Sequence, residues 1–297
     1  MTSLEIPSLK PETQNTRTFR HVLMVIVRDP LSLASTIAII AFILIALFAR
    51  QIAPYPLEGA GKTNVSNTML SPSRGHLFGT DKLGRDVLSR VIVGAQPALI
   101  VPIGVVLFAI LIGAPLGALA GYKGGWIDEV IMRITDLFLA FPSLLLAMAI
   151  ASALGRGLGK AAFALVISWW PWYTRLVRGV TLSLRERYFV EAAQAIGVRD
   201  SVIILRHILP NTISPILVQA TVDLGTVILA MGGLAFLGLG TQPPAPDWGL
   251  MVSEGRTYIL TQSWISTFPG LAIFVVVLAF NLLGDTLRDI FDPRQYK

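Results

Sequence analysis

"EAAQAIGVRDSVIILRHILPN", residues 191–211, is a polar and basic interruption in a chain that is otherwise mostly apolar. Of the 297 residues, 54% are hydrophobic and 14% are charged. The charged share is about half that of a soluble globular chain, so the surroundings this chain is built for are largely not water.

On both sides of the interruption lie runs that can cross a bilayer, for which a helix needs roughly 20 mostly apolar residues. These are Leu31–Ala49, Ala98–Ala120, Leu137–Leu154, Ala161–Val180, Thr212–Leu234 and Thr267–Gly284. Four of the six carry no charge, and that repetition sets them apart from the buried helices of a soluble domain. The fourth reaches spanning length only if Arg175 and Arg178 snorkel toward the head groups. The fifth contains Gln219 and Asp223. The first begins at Leu31 without a small-x-small cleavage pattern at its end and reads as a retained anchor. The expected fold class is an all-α polytopic membrane protein with six transmembrane helices.

With a cytoplasmic amino terminus, segments 1–30, 121–136, 181–211 and 285–297 lie inside. Together with the membrane-edge Arg175 and Arg178 they hold about twice as many Lys and Arg as the outside segments, which favours both termini cytoplasmic. The loop 51–97, with Lys62, Arg74, Lys82, Arg85 and Arg90, runs against that trend. The net charge of +6 then reads as topology and contact with membrane lipids. No basic-aromatic interleaving points to nucleic acid.

No cysteine is present, which excludes disulfides and thiolate sites. The three histidines, His21, His76 and His207, lie outside the spans, so neither a metal site nor a catalytic site is expected. "EGAGKT" (58–63) imitates a phosphate-binding loop, yet Pro56 stands where that motif needs Gly and no strand precedes it. It reads as a plain loop, so any nucleotide is hydrolysed by another chain.

Within the interruption, Gly197 suits the left-handed position that stops a helix. A second short helix restarts at Asp200 or Ser201 and ends at Pro210. The first helix is expected to present Ala192, Ala193 and Ala195 around Glu191 as a small-residue surface. The second is expected to pack Val202, Ile203, Leu205 and Ile208 against the spans. A loop lying on the lipid surface, anchored by Arg185, Arg187, Arg199 and Arg206, is the alternative.

The order Glu-Ala-Ala, three residues, Gly, nine residues and then a segment ending Leu-Pro resembles the EAA loop of permease subunits in ABC importers. His207 stands where that pattern has Ile. "HLFGTDKLGRDVLSR" (76–90), "GYKGGWIDEVIMRITDLFLAFPSLLLA" (121–147), "FLGLGTQPPAPDWGLMVSEG" (236–255) and "FPGLAIFVVVLAFNLLGDTLRDIFDP" (268–293) are similar to the second permease of the dipeptide/oligopeptide/nickel importer group.

The resemblance covers about residues 70–295 and implies a type I ABC importer permease core in a bacterial inner membrane. It implies a coupling role for Glu191, Ala192, Ala193, Gly197, Leu209 and Pro210, which would dock on an ATPase. It also implies a sister permease, two ATP-binding subunits and an external substrate-binding protein, with ATP and Mg on those partners and no cofactor in this chain. Di- and oligopeptides are the expected cargo; nickel and other solutes stay open.

The expected organisation is a cytoplasmic segment 1–30, amphipathic over Arg17–Asp29, then the first span and outer loop 31–97. A core 98–288 with coupling loop 185–210 follows, and then a tail 289–297. Gln219 and Asp223 share a helical face and are candidates for the translocation path; a buried bonded carboxyl at the sister interface is the other reading. An ion-coupled secondary transporter using Asp223 is the alternative function. Trp169, Trp170 and Trp172 are expected to form an interfacial belt, and prolines 102, 115, 142, 171, 215 and 269 to kink the spans.

Overall fold

The computed structural model describes residues 27–291, so most of the expected amino-terminal amphipathic segment and of the tail falls outside them. All regular elements among the described residues are helical, apart from one isolated bridge between Thr80 and Asp86.

Helix α1 (Pro30–Leu47) starts where Asp29 Oδ2 accepts the Ser32 N–H at 2.8 Å and Pro30 fills the first turn, a position that needs no amide donor. Residues 48–86 follow as a folded cap rather than an open loop. The long helix α2 (Val87–Lys123) is capped by Asp86, whose Oδ2 accepts the Ser89 N–H at 2.8 Å, and stops at Gly124, with φ of 65°. Its 37 residues make a rod about 55 Å long.

Helices α3 (Gly125–Leu139) and α4 (Ser143–Leu154) meet at an 84° bend. Then come α5 (Leu158–Arg185), the short α6 (Tyr188–Ala195), a one-turn segment Asp200–Ile203, α7 (Ile213–Phe236), α8 (Trp248–Gly255) and α9 (Trp264–Phe291).

Three expectations need correction. The second helix begins at Val87, not Ala98, because Asp86 caps it and the polar side chains Ser89 and Arg90 are buried in bonded pairs instead of marking a loop. The third apolar run is not one straight helix. Pro142 cannot donate a main-chain hydrogen bond and disfavours helical geometry before it, so the chain breaks there. Alone, the 12 residues of α4 reach only about 18 Å. Of the six prolines, Pro142 marks a break in the chain of helices, while Pro102, Pro115, Pro171, Pro215 and Pro269 lie within helices.

By length and composition, α1, α2, the stretch Asp200–Phe236 and α9 can each cross a membrane, and the bent α3–α4 pair adds a fifth if it is counted as one broken span rather than a re-entrant loop. Helix α5 has 28 residues, enough for about 42 Å, but carries Lys160, Arg175 and Arg178.

Among the described residues the most extensive packing joins α2 to α5. Gly113, Gly117 and Gly121 lie four apart on α2 and let the two backbones touch. A Cβ at Gly113 would lie 2.4 Å from the Trp170 carbonyl oxygen, and one at Gly117 would lie 2.3 Å from that of Thr174. Around this pair, Val105, Ala109, Leu165, Trp169, Tyr173 and Leu234 form one core cluster. Phe42, Val87, Trp248 and Phe280 join α1, α2, α8 and α9 in a second.

Trp169 and Trp170 therefore do not belong to an interfacial belt: both are buried, and only Trp172 faces outward. Nor do Arg175 and Arg178 simply snorkel. Arg178 makes a two-pronged pair with Asp128, at 2.5 and 2.6 Å, and Arg175 reaches Asp136 at 2.5 Å, clamping α3 to α5.

Candidate functional site

The expected coupling residues gather at one end of the bundle. Helix α6 closes in a double turn: the Val198 N–H donates to Ala193 O at 3.0 Å and the Gly197 N–H to Gln194 O at 2.9 Å. That pattern needs a left-handed residue, and Gly197 supplies it with φ of 79°. Val198 and Ala193 then meet in the same apolar cluster, as this closure commonly requires.

The turn sorts the helix into two faces. Val190 and Ala193 point inward and pack with Ala118 and Tyr122 on α2, Val177 on α5 and Ile203 in the one-turn segment. Glu191, Ala192, Ala195, Tyr188 and Ile196 point outward. Tyr188 is 89% and Ile196 80% exposed, so this end carries an apolar, small-residue surface that the described residues leave uncovered. Of the expected surface alanines, Ala193 thus faces the bundle.

Ile203 and Ile208 are buried as expected, but Leu205 is 64% exposed and joins the outer face. The helix widens to a π turn over Ile204–Ile208, which makes room for Pro210, whose ring collides with the carbonyl four residues back in a regular helix. Leu209 is half-buried and Pro210 exposed at the entry to α7.

A second set of side chains ties this loop to α2. Tyr122 Oη donates to Asp200 Oδ1 at 2.9 Å and accepts from Gln194 Nε2 at 3.1 Å. Lys123 pairs with Asp200 Oδ2, and Arg185 Nη1 donates to the Tyr122 carbonyl at 3.3 Å. The Lys123 ammonium and the Tyr122 hydroxyl hold the Asp200 carboxyl below its ordinary pKa.

At the opposite end of α2 the cap contains a buried ion cluster. Asp81 Oδ2 accepts from Arg85 Nε at 2.7 Å and Arg90 Nη1 at 2.6 Å, and Glu254 Oε2 on α8 accepts from both guanidinium groups at 3.1 Å. Arg85 and Arg90 are fully buried. Burial pushes the Asp81 carboxyl up, but Arg90, Arg85 and the backbone N–H groups of Arg85 and Leu83 outweigh it and hold the pKa below its ordinary value. Two of the basic residues that run against the charge trend are therefore neutralised internally. "EGAGKT" lies in the same cap as a loop: Glu58 accepts from Asn64 Nδ2 and the Asp86 N–H, both at 3.0 Å, and Gly61 abuts Pro244.

Sequence reasoning missed this cluster and the glycine stripe of α2. The signals were present, as Asp81 with Arg at the fourth and ninth positions after it, and as Gly113, Gly117 and Gly121 at four-residue spacing.

Gln219 Nε2 donates to Asp223 Oδ1 at 3.1 Å, so the structure brings these two together. Asp223 is 7% exposed, enclosed by this chain's own helices, and its Oδ2 has no hydrogen-bond partner among the described residues.

Membrane-length helices around a compact two-helix excursion define a polytopic membrane protein among the described residues. Residues 113–297 match the model of the binding-protein-dependent transport system inner membrane component, and residues 18–72 that of the N-terminal TM domain of oligopeptide transport permease C. The chain is 45% identical over 286 residues to the dipeptide transport system permease protein DppC of Alkalihalophilus pseudofirmus, covering 96% of this chain and 93% of that one. It is also 45% identical over 299 residues to the glutathione transport system permease protein GsiD of Escherichia coli O6:K15:H31, covering 97% and 94%. In fold it is similar to an inward-facing structure of the MetNI methionine ABC transporter, with a TM-score of 0.55 and 19% identity over 68% of this chain and 96% of that chain.

The chain belongs to the family of binding-protein-dependent transport system inner membrane components. It is a multi-pass inner-membrane permease of an ABC importer.

Proposed function

We propose that this chain forms, with a sister permease, the path by which di- and oligopeptides delivered by an external binding protein enter the cell, and that loop 185–210 docks on one of two ATPase subunits. ATP and Mg are bound by those ATPases and not by this chain. In this reading the chain crosses the membrane six times, with α3–α4 as one bent crossing and α5 as the next, and both termini are cytoplasmic. Residues 31–97 are then the first span and outer cap, and 98–288 the core. The relatives named for dipeptide and glutathione transport support a peptide-type cargo.

The observation that carries the reading is the two-faced α6. Val190 and Ala193 seat it on α2 and α5, while Tyr188, Ala192, Ala195 and Ile196 stay open beside Glu191. A surface of small and apolar side chains, closed by Gly197 and continued toward Leu209 and Pro210, fits a groove on a partner.

Co-purification with candidate ATPases in detergent, comparing the native chain with Gly197→Trp, tests it. The native chain holds the ATPases, and the variant releases them while keeping the sister permease. Equal retention by both would remove the docking role.

Gln219 and Asp223 are assigned to the region beside the translocation path, with Asp223 enclosed against α5. An ion-coupled carrier using Asp223 is separated by Asp223→Asn: uptake stays dependent on ATP here, whereas a proton- or sodium-driven carrier loses its driving ion.

A further inference from the structure

We infer that α2 is the strut that carries displacement of the coupling loop across the membrane to the cap, and that Asp200, Tyr122 and Lys123 form its driven joint. The inference rests on the coupling role proposed for loop 185–210 and concerns how that motion leaves the loop.

Three observations build the strut. At the loop end, the last turn of α2 is bonded to every piece of the loop at once: Arg185 at its entry, Gln194 on α6, and Asp200 where the chain restarts after Gly197. Along its last third, next to the joint, α2 is fixed to α5 through backbone contacts at Gly113, Gly117 and Gly121, so that part of α2 and α5 move as one body. At the far end, Arg90 in the first turn of α2 is locked to Asp81 in the cap and to Glu254 on α8.

Of the three prolines inside α2, Pro115 lies within the stretch clamped to α5, while Pro97 and Pro102, each of which removes a main-chain hydrogen bond, lie between that stretch and the locked end. A small cavity of about 20 Å³, lined by Gly94, Pro97, Pro102, Asp247 and Trp248, lies beside that stretch. A helix that lacks two main-chain hydrogen bonds outside its clamped stretch is softest there, and in this proposal that is where the rod flexes. Motion applied at Asp200 therefore tilts the cap-proximal third of α2, and Arg90 pulls Glu254 and α8 with it.

The joint is open to a clean test because the pair Lys123–Asp200 is half-exposed, at 39% and 47%, and such pairs add little to stability. The measurement is peptide taken up per ATP hydrolysed, in vesicles holding the full complex with its binding protein. Asp200→Ala keeps the ATPases bound and hydrolysing, while uptake per ATP falls about tenfold, a coupling loss within the usual range. Exchanging the charges, as Lys123→Asp with Asp200→Lys, restores most of it. Glu254→Gln at the far end gives the same loss, and Arg133→Ala, in an exposed pair away from the strut, changes nothing.

Native uptake per ATP in Asp200→Ala, or a charge exchange that rescues nothing, overturns the strut. Release of the ATPases by Asp200→Ala also overturns it, making Asp200 a docking contact and leaving the proposed function in place. Failure of the native chain to hold ATPases would remove the proposed function itself, and the same preparation reports it.

Discussion

Two glycines show how one residue type is required for different reasons. At Gly197 a Cβ would meet nothing within 4 Å, so the whole cost of replacement is the positive φ. Asn tolerates that conformation and β-branched residues do not. Gly197→Asn is therefore expected to keep its ATPases and Gly197→Val to shed them, as measured by the ATPase fraction retained on co-purification. At Gly84 the φ is also positive, at 73°, but a Cβ would sit 1.7 Å from the Asn64 carbonyl oxygen, so Asn fails there too. The role of Gly197 was legible in the sequence because a helix stop is local chemistry. The inward face of Ala193 was not, because it depends on what α6 lies against. The same holds for Trp169 and Trp170, whose indoles suit a membrane interface in general but here fall on the side of α5 that meets α2 and α7.

Among the helices, α2 is defined by what its glycines allow. Gly117→Val would drive a side chain into the Thr174 carbonyl and force α2 from α5. It is expected to cost more than about 3 kcal/mol, the upper range for overpacking, and to deplete the chain from the membrane fraction. Gly104→Val on the same helix meets nothing within 4 Å and should accumulate normally, as blotting of membranes would show. The apolar runs made most helices legible, since a bilayer demands length and composition that a sequence displays directly. The start of α2 was hidden because its first turn is polar: Ser89 and Arg90 look like loop residues until Asp86 and Asp81 just before them and Glu254 from a distant segment are seen to bond them.

For the molecule as a whole, the cap cluster sets a response to acid. Asp81→Asn strands Arg85 and Arg90 with half their countercharge and should cost about 3–5 kcal/mol, seen as a lower thermal midpoint in detergent. Because the folded state depresses the Asp81 pKa, its stabilisation is complete above the unfolded value of about 3.9 and is lost as pH falls from there toward the folded value. The midpoint should therefore drop below about pH 4, and Asp81→Asn should remove that part of the drop. The Asp81, Arg85 and Arg90 spacing was legible in the sequence, but the part of Glu254 was not, since it lies far along the chain from Asp81.

The bend between α3 and α4 has a consequence for biosynthesis. A 12-residue apolar helix preceded by Asp128, Glu129, Arg133 and Asp136 cannot settle in a bilayer alone, and the arginines that neutralise Asp128 and Asp136 lie on α5, which the ribosome makes later. Chains halted before α5 emerge are expected to leave this stretch extractable by alkali, and chains halted after Tyr188 to retain it. The translocon thus has to hold one hairpin open until its partner arrives, and the membrane receives the two as a pair.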